Sequence, residues 1–267
     1  MPAIAPPGGA VDWSADELTI GVVGVAPWAT IDFLSRVTRH TPATRDWHHL
    51  RVLVDSNPKI PSRGRCLELG ETDPTPLIRA TITELAAHGA DIVVVPCNTA
   101  HLFHDGFAAG AACVVPDMVA LAVRATATAA PTARRVAVLG SRATVRGGRY
   151  ARALAARGMG QLDGSAWDEE IWAVIEEIKQ GGHPDARVAD LVARAESAGA
   201  DAVILACTEL SVVAPPLARV PVLDSNDILA RWCVTRARAG SRADARRDAA
   251  DACVGDGLTA AHAIAQT

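Results

Sequence analysis

Short apolar runs alternate along the chain with longer segments in which apolar residues recur every three or four positions. The short runs are typical of buried strands and the longer segments of amphipathic helices, so their alternation predicts an α/β fold with mostly parallel sheets. Two of the predicted helices, over residues 76–88 and 186–198, end on glycines, Gly89 and Gly199. The predicted strands cover residues 19–23, 52–55, 92–96, 113–115, 136–139, 202–206 and 220–223.

The segments that follow these two glycines repeat each other. GADIVVVPCNTAH begins at Gly89 and GADAVILACTELS begins at Gly199, and both contain Gly-Ala-Asp, an apolar strand, a cysteine and polar residues. A weaker similarity relates LTIGVVG at Leu18 to RVAVLGS at Arg135. The chain is therefore predicted to be internally duplicated, with two similar lobes, a pseudo-twofold relation between them and a shared cleft.

The repeats also suggest where the lobes begin and end. We expect a first lobe from residues 18–117 together with C-terminal helices in residues 222–267, and a second lobe from residues 118–221. Residues 1–17 are expected to form a flexible leader. From about Ala237 onward Ala, Arg and Asp dominate, which predicts a peripheral helix or a partly disordered tail.

The composition indicates a globular protein that binds a small molecule. Of 267 residues 49% are hydrophobic, and the formal net charge of -4 is spread along the chain, which disfavours nucleic acid and membrane surfaces as partners. The apolar runs are far shorter than the roughly 20 residues that cross a bilayer, and no secretory signal is recognised. Six cysteines without a Cys-x-x-Cys pair favour reduced, cytoplasmic thiols over a zinc site or a disulfide framework.

Each repeat places a cysteine, Cys97 or Cys207, just after a predicted strand. The carboxyl ends of parallel strands are where open sheets bind ligands, and the hydroxyl and amide residues that follow favour anion binding. A single cysteine in this position is usually a packing residue, but the duplicated context favours chemistry. If the lobes face each other, one thiolate removes a proton from a carbon and the other thiol protonates the opposite face.

At these cysteines the sequence resembles the aspartate/glutamate racemase superfamily, in the motifs PCNTAH and ACTEL. The resemblance runs from about Leu18 to Leu229 and is strongest to the aspartate racemase branch, through RVLVDSNPKIP from Arg51. It implies racemisation of an acidic amino acid, L-aspartate to D-aspartate, by Cys97 and Cys207 without pyridoxal phosphate or any other cofactor or metal. It also implies a homodimer.

The same resemblance implies the other site residues. Arg51 is expected to bind the side-chain carboxylate of the substrate, assisted by Lys179 in the segment EEIKQG. His101 and Glu209 are expected to orient the cysteines, while Trp28, in a loop that departs from the family's glycine-rich turn, is expected to reshape the pocket. The remaining substrate-binding residues implied are Asn57, Asn98, Thr99, Ser141, Thr144 and Thr208.

Several alternatives fit parts of the sequence. Within the superfamily they are glutamate racemisation, maleate cis-trans isomerisation, hydantoin racemisation and arylmalonate decarboxylation; Arg51 and Lys179 disfavour hydantoins, and two retained cysteines disfavour the decarboxylase. A metal site at Cys97, His101 and His104 lacks a further ligand nearby, and no complete Gly-x-Gly-x-x-Gly supports a nucleotide site. A non-catalytic amino-acid-binding protein with the same cleft is the alternative from another class.

Overall fold

A computed structural model describes residues 17–213 and 217–240 of the chain. Within them the strands form two separate sheets, and every pair of neighbouring strands is parallel. The first sheet has the order β2-β1-β3, with β1 (Ile20–Gly24), β2 (Val52–Ser56) and β3 (Ile92–Val94). The second has the order β5-β4-β6-β7, with β4 (Arg135–Leu139), β5 (Gly160–Gln161), β6 (Ala202–Leu205) and β7 (Val222–Asp224).

Helices flank both sheets, as the alternating pattern predicts. Those up to the middle of the chain are α1 (Pro27–His40), α2 (Arg63–Leu69), α3 (Thr75–Ala87), α4 (His104–Ala108) and α5 (Met118–Ala129). The later ones are α6 (Arg142–Arg146), α7 (Arg149–Ala155), α8 (Asp168–Lys179), α9 (Asp185–Ser197) and α10 (Ser225–Ala239). None of these described helices has the length and apolar content that a bilayer crossing requires.

Each lobe is a sheet between two apolar layers, because successive strand residues point to opposite faces. In the first lobe Val22 packs towards α1 and α10, while its neighbour Val23 packs towards α3. In the second lobe Leu139 packs towards α8 and α9, and Val138 packs towards α5 and α7. Full burial of one such side chain stabilises the fold by about 1.5–3 kcal/mol. The α/β fold with two lobes is thus confirmed.

The structure corrects one lobe boundary. Residues 222–267 are expected in the first lobe, but β7 pairs in parallel with β6 and belongs to the second sheet. The paired residues run from Val203 opposite Val222 to Leu205 opposite Asp224. The chain returns to the first lobe only with α10, which packs on α1 and α5. A strand as short as β7, with three residues, is not stable by itself, and β6 provides the backbone hydrogen-bond partners that it needs.

Two smaller differences concern strands. The predicted strand over residues 113–115 contributes a single bridge, from Val114 to Ile92 of β3. The two-residue strand β5 was not predicted, because Gly160 and Gln161 carry no apolar pattern. The expected leader, apart from residue 17, and the tail from residue 241 lie outside the described residues.

Gly140, which follows β4, allows the two central strands of the second lobe to meet closely. A Cβ at this position would lie 2.7 Å from the carbonyl oxygen of Ala206 and 3.1 Å from its carbonyl carbon. Ala206 directly precedes Cys207, and its N–H donates to the carbonyl of Leu139 at 2.6 Å. The absence of a side chain at Gly140 therefore fixes where the Cys207 loop begins.

We expect Gly140→Ala to lower the free energy of unfolding by about 1–3 kcal/mol, the usual cost of inserting a methyl group into packed backbone. Urea unfolding measures this difference. The control is Gly64→Ala in α2, where an added Cβ meets nothing within 4 Å. Equal stability of the two variants would contradict the close approach at Ala206.

Candidate active site

Cys97 and Cys207 lie in the same cleft between the lobes, which has a volume of about 530 Å³. Cys97 follows the carboxyl end of β3, and Cys207 follows the carboxyl end of β6. The two residues are 7% and 8% exposed, so each is almost shielded from water yet contributes to the cleft wall. Two thiols carried by different sheets are thus available to one bound molecule.

His101 holds the loop that carries Cys97. Its Nε2 lies 3.1 Å from the carbonyl oxygen of Val95, and its Nδ1 accepts from the backbone N–H of Met118 at 3.3 Å. Since Nδ1 accepts, the proton sits on Nε2, which donates to Val95. The ring is completely buried and stacks against His104 at a centroid distance of 5.4 Å. Both nitrogens are occupied, which removes His101 from the metal-binding alternative.

Asn98 points away from the cleft. Its amide is 2% exposed and lies between the Tyr150 hydroxyl, 2.6 Å from Oδ1, and the Ser225 hydroxyl, 2.9 Å from Nδ2. The side chain is fully engaged in the interface between the lobes. It therefore does not fill the substrate-binding role that the resemblance implies, and the backbone of this turn is what remains for a ligand.

Three hydroxyls close the cleft on another side. Thr99 Oγ1 lies 3.0 Å from Ser141 Oγ and 2.8 Å from Thr144 Oγ1, which are themselves 2.9 Å apart. Thr99 belongs to the first lobe, whereas Ser141 caps α6 and Thr144 lies within it, so this triangle also joins the lobes. Thr99 and Ser141 line the cleft, while Thr144 is 1% exposed and supports them from behind.

A buried carboxylate lies beside the second thiol. Cys207 Sγ donates to Glu209 Oε2 at 3.1 Å, and Thr208 Oγ1 lies 3.4 Å from the same oxygen. Burial first, and then the charge of Glu209, raises the pKa of the Cys207 thiol well above its usual range. The structure thus holds Cys207 as a thiol. Thr208 is 1% exposed and lies behind the cleft wall, next to Glu209.

Lys179, at the end of α8, provides one positive charge in the cleft. Its Nζ lies 2.8 Å from Glu176 and 5.4 Å from the ring centroid of Trp172. Burial opposes the charge, but the hydrogen bond to Glu176 and the charge of Glu209 hold the pKa of Lys179 above its ordinary value. Trp28 lies across from it, and its indole N–H donates to the Lys179 carbonyl at 3.3 Å.

The structure contradicts the expected role of Arg51. This residue precedes β2, and its carbonyl accepts from Ile20 at the amino end of the first sheet. Both cysteines lie beyond the carboxyl ends of their strands. The five residues of β2 separate the amino edge of the sheet from its carboxyl edge by roughly 15 Å. The guanidinium of Arg51 points towards Gly89, at the start of the β3 segment. An arginine ahead of a strand is therefore on the wrong edge.

Arg63, which the sequence interpretation missed, lies in the cleft instead. Its guanidinium contacts three backbone carbonyls, those of Val25, Ile60 and Pro61, at 3.2–3.4 Å. Its Nε is buried without a hydrogen-bond partner, and no carboxylate of the described residues forms an ion pair with it. The feature of the sequence that could have identified Arg63 is its position after the Asn-Pro turn, at the carboxyl end of β2.

Asn57 begins that turn and stabilises it. Its Oδ1 accepts from the backbone N–H of Lys59 at 3.0 Å, and its carbonyl accepts from Ile60. The neighbouring residues Pro58 and Ile60 line the cleft. Of the predicted site residues, the structure brings six to the cleft wall: Cys97, Thr99, Ser141, Lys179, Cys207 and Glu209.

Comparisons with known proteins agree with this geometry. The profile of the Asp/Glu/hydantoin racemase family matches residues 20–233. The broad specificity amino-acid racemase RacX of Bacillus subtilis (strain 168) is 25% identical over 224 residues, which cover 81% of this chain and 96% of that protein.

Solved structures share the fold. Picrophilus torridus aspartate racemase is 24% identical, with a TM-score of 0.72, and the match covers 86% of this chain and 98% of that one. A putative Asp/Glu racemase from Yersinia pestis is 20% identical, with a TM-score of 0.68, covering 82% of this chain and 99% of that one.

Replacing Glu209 by glutamine should make Cys207 more reactive. Removing the carboxylate charge lowers the pKa of the Cys207 thiol, so a larger fraction is thiolate at pH 8 and iodoacetamide alkylates it several-fold faster. Mass spectrometry of the Cys207 peptide measures the rate, with the Cys97 peptide as the internal control. An unchanged Cys207 rate would show that Glu209 does not hold the proton on this thiol.

Proposed function

The chain belongs to the Asp/Glu/hydantoin racemase family, and from this premise we propose that it racemises an acidic amino acid, aspartate first, by a two-thiol mechanism without a cofactor. The observation that carries the proposal is that Cys97 and Cys207, on strands of different lobes, line one cleft. Inversion at a carbon requires proton removal on one face and proton delivery on the other. The homodimer implied by the resemblance and the cytoplasmic location favoured by the cysteine pattern are part of the proposal.

We infer from the surroundings of the two thiols which one acts as acid and which one acts as base. Cys207 is held protonated by burial and by Glu209, so it is the acid that delivers a proton to Cα. Cys97 has Thr99 where Cys207 has Glu209, and we assign to it the role of the base. Cys97 takes the Cα proton while Cys207 protonates the opposite face, which leaves Cys97 as thiol and Cys207 as thiolate. The reverse reaction restores the starting state.

The positive charges in the cleft favour a dicarboxylate. We assign Arg63, in place of Arg51, to the side-chain carboxylate, because its guanidinium lies in the cleft and pairs with no described carboxylate. Lys179 provides a second charge, and its pairing with Glu176 is partly exposed and readily exchanged for a ligand. The hydroxyls of Thr99 and Ser141 are assigned to the α-carboxylate.

Glutamate is the second candidate substrate, because the cleft volume of about 530 Å³ leaves room for a chain one methylene longer than aspartate. Trp28 and Trp172 line the same space with apolar surface. The name of the Bacillus subtilis relative describes broad specificity, which supports testing several amino acids together.

In heavy water, without pyridoxal phosphate or metal, we expect wild-type protein to convert L-aspartate into Cα-deuterated D-aspartate. Cys97→Ser and Cys207→Ser should each lower racemisation by at least about a hundredfold, because each removes one acid–base group. Chiral chromatography and proton NMR measure product and exchange. Glutamate and maleate are tested in parallel.

The matched control is Cys66→Ser, which removes a thiol of α2 that neighbours the cleft residues Arg65 and Glu68 without lining the cleft itself. This variant should keep wild-type activity. Absence of both exchange and racemisation with every acidic substrate would reject the proposed function, and full activity of either catalytic-cysteine variant would reject the two-thiol mechanism.

The assignment of Arg63 predicts a change in KM. Arg63→Lys keeps the charge but loses the planar fork that holds a carboxylate, so we expect KM for aspartate to rise roughly tenfold to a hundredfold, corresponding to a charge-assisted hydrogen bond of about 1.5–3 kcal/mol. Steady-state kinetics measure this. Arg51→Lys, at the opposite edge of the sheet, is the control and should leave KM unchanged; the reverse result would restore the original assignment.

A further inference from the structure

A continuous chain of buried hydrogen bonds links the two cysteine loops. Tyr150 contacts Asn98 at 2.6 Å, Asn98 contacts Ser225 at 2.9 Å, and Ser225 contacts the carbonyl oxygen of Leu205 at 2.7 Å. Asn98 directly follows Cys97, and Leu205 lies two residues before Cys207. All four residues are at most 2% exposed. The bonds from Asn98 through Ser225 to Leu205 thus connect the loop after β3 to the end of β6, and Tyr150 of α7 joins this connection at Asn98.

The direction of every bond in this chain is fixed by its last acceptor. The carbonyl of Leu205 can only accept, so the Ser225 hydroxyl donates to it and has a lone pair for Asn98. Asn98 must therefore present Nδ2 to Ser225 and Oδ1 to Tyr150, whose hydroxyl donates. Reversal of the amide would set Asn98 Oδ1 against a lone pair of the Ser225 hydroxyl, so that two acceptors face each other. Because these residues are buried, that mismatch is costly, and the network favours one arrangement.

We propose that Tyr150 and Ser225 are positioning residues that set the separation of Cys97 and Cys207, an inference that rests on the proposed two-thiol function. Neither residue lines the cleft, and they act through Asn98 and Leu205. In a two-base reaction the substrate carbon must lie within reach of both sulfurs at once. A displacement of one loop by a fraction of an ångström impairs delivery of the second proton more than removal of the first.

The Thr99, Ser141 and Thr144 hydroxyls form a second connection between the lobes. Loss of the Tyr150 hydroxyl should therefore leave the protein folded while loosening the spacing at Cys97. Tyr150→Phe removes this hydroxyl and keeps the ring, which is completely buried in the second-lobe core. This substitution is the appropriate test of a positioning role.

The readout is the ratio of deuterium exchanged into remaining L-aspartate to deuterated D-aspartate formed in heavy water. We expect Tyr150→Phe to lower kcat and to raise this ratio several-fold, because Cys97 still removes the proton while Cys207 fails to complete inversion. KM should change little. Ser225→Ala should shift the ratio in the same direction, and the double variant should shift it less than the sum, since both hydroxyls bind the same Asn98 amide.

The control is Thr126→Val, which removes a completely buried hydroxyl that donates only within α5, to Ala122 at 2.9 Å. Like Tyr150→Phe it should lower Tm, but it should leave the exchange ratio at the wild-type value. If Tyr150→Phe behaves like Thr126→Val, with a lower Tm and an unchanged ratio, Tyr150 is a structural residue and the inference is overturned.

A measurement independent of turnover separates this inference from the proposed function. In a Cys66→Ser background, dibromobimane becomes fluorescent only when it links two thiols, and peptide mapping identifies the Cys97–Cys207 product. We expect a lower yield of this product in Tyr150→Phe than in Thr126→Val. An inactive wild type would reject the proposed function, whereas equal cross-linking in both variants would reject the positioning role.

Discussion

The burial of one side-chain amide constrains the arrangement of the two lobes. Asn98 lies buried between Tyr150 of α7 and Ser225 of α10, so its polar atoms must find their partners within the protein. That requirement fixes how the carboxyl ends of the first and second sheets meet. The cleft, with Cys97 on one wall and Cys207 on the other, is the space that remains beside this contact.

Duplication gives the two halves similar backbones but different chemistry. Both repeats place a cysteine after a central strand, yet the residue two positions later is Thr99 in one and Glu209 in the other. Thr99 joins a neutral triangle of hydroxyls, whereas Glu209 brings a negative charge to within 3.1 Å of a thiol. A nearly symmetric scaffold therefore places its two thiols in different surroundings, with a carboxylate beside only one of them.

Patterns along the chain were sufficient to predict the α/β class, most strands and the common location of both cysteines, because strand burial and parallel topology are set by local apolar periodicity. These patterns did not predict the role of residues whose function depends on the direction of the side chain. The turn after β3 aims Asn98 into the lobe interface, and Thr208 is likewise buried. Neither orientation follows from residue type, since it depends on how the lobes dock.

The wrong choice of Arg51 over Arg63 as the arginine of the cleft has a similar cause. Motif similarity located a segment that runs through the first lobe from one edge of the sheet to the other, but it did not distinguish the two arginines within it. A parallel strand has two chemically different ends, and only the carboxyl end of β2 meets the cleft. Consideration of the sheet topology before the motif similarity would have favoured Arg63, the arginine that follows β2.

The route of the chain between the lobes also determines the order in which the protein can assemble. The core of the first sheet includes Leu229 and Cys233 from α10, and the second sheet is completed by β7 just before that helix. During synthesis on the ribosome, neither lobe can finish its core until the last described helix has emerged. The sequence-distant contacts that close both lobes predict slow folding, in which each half waits for the same segment of β7 and α10.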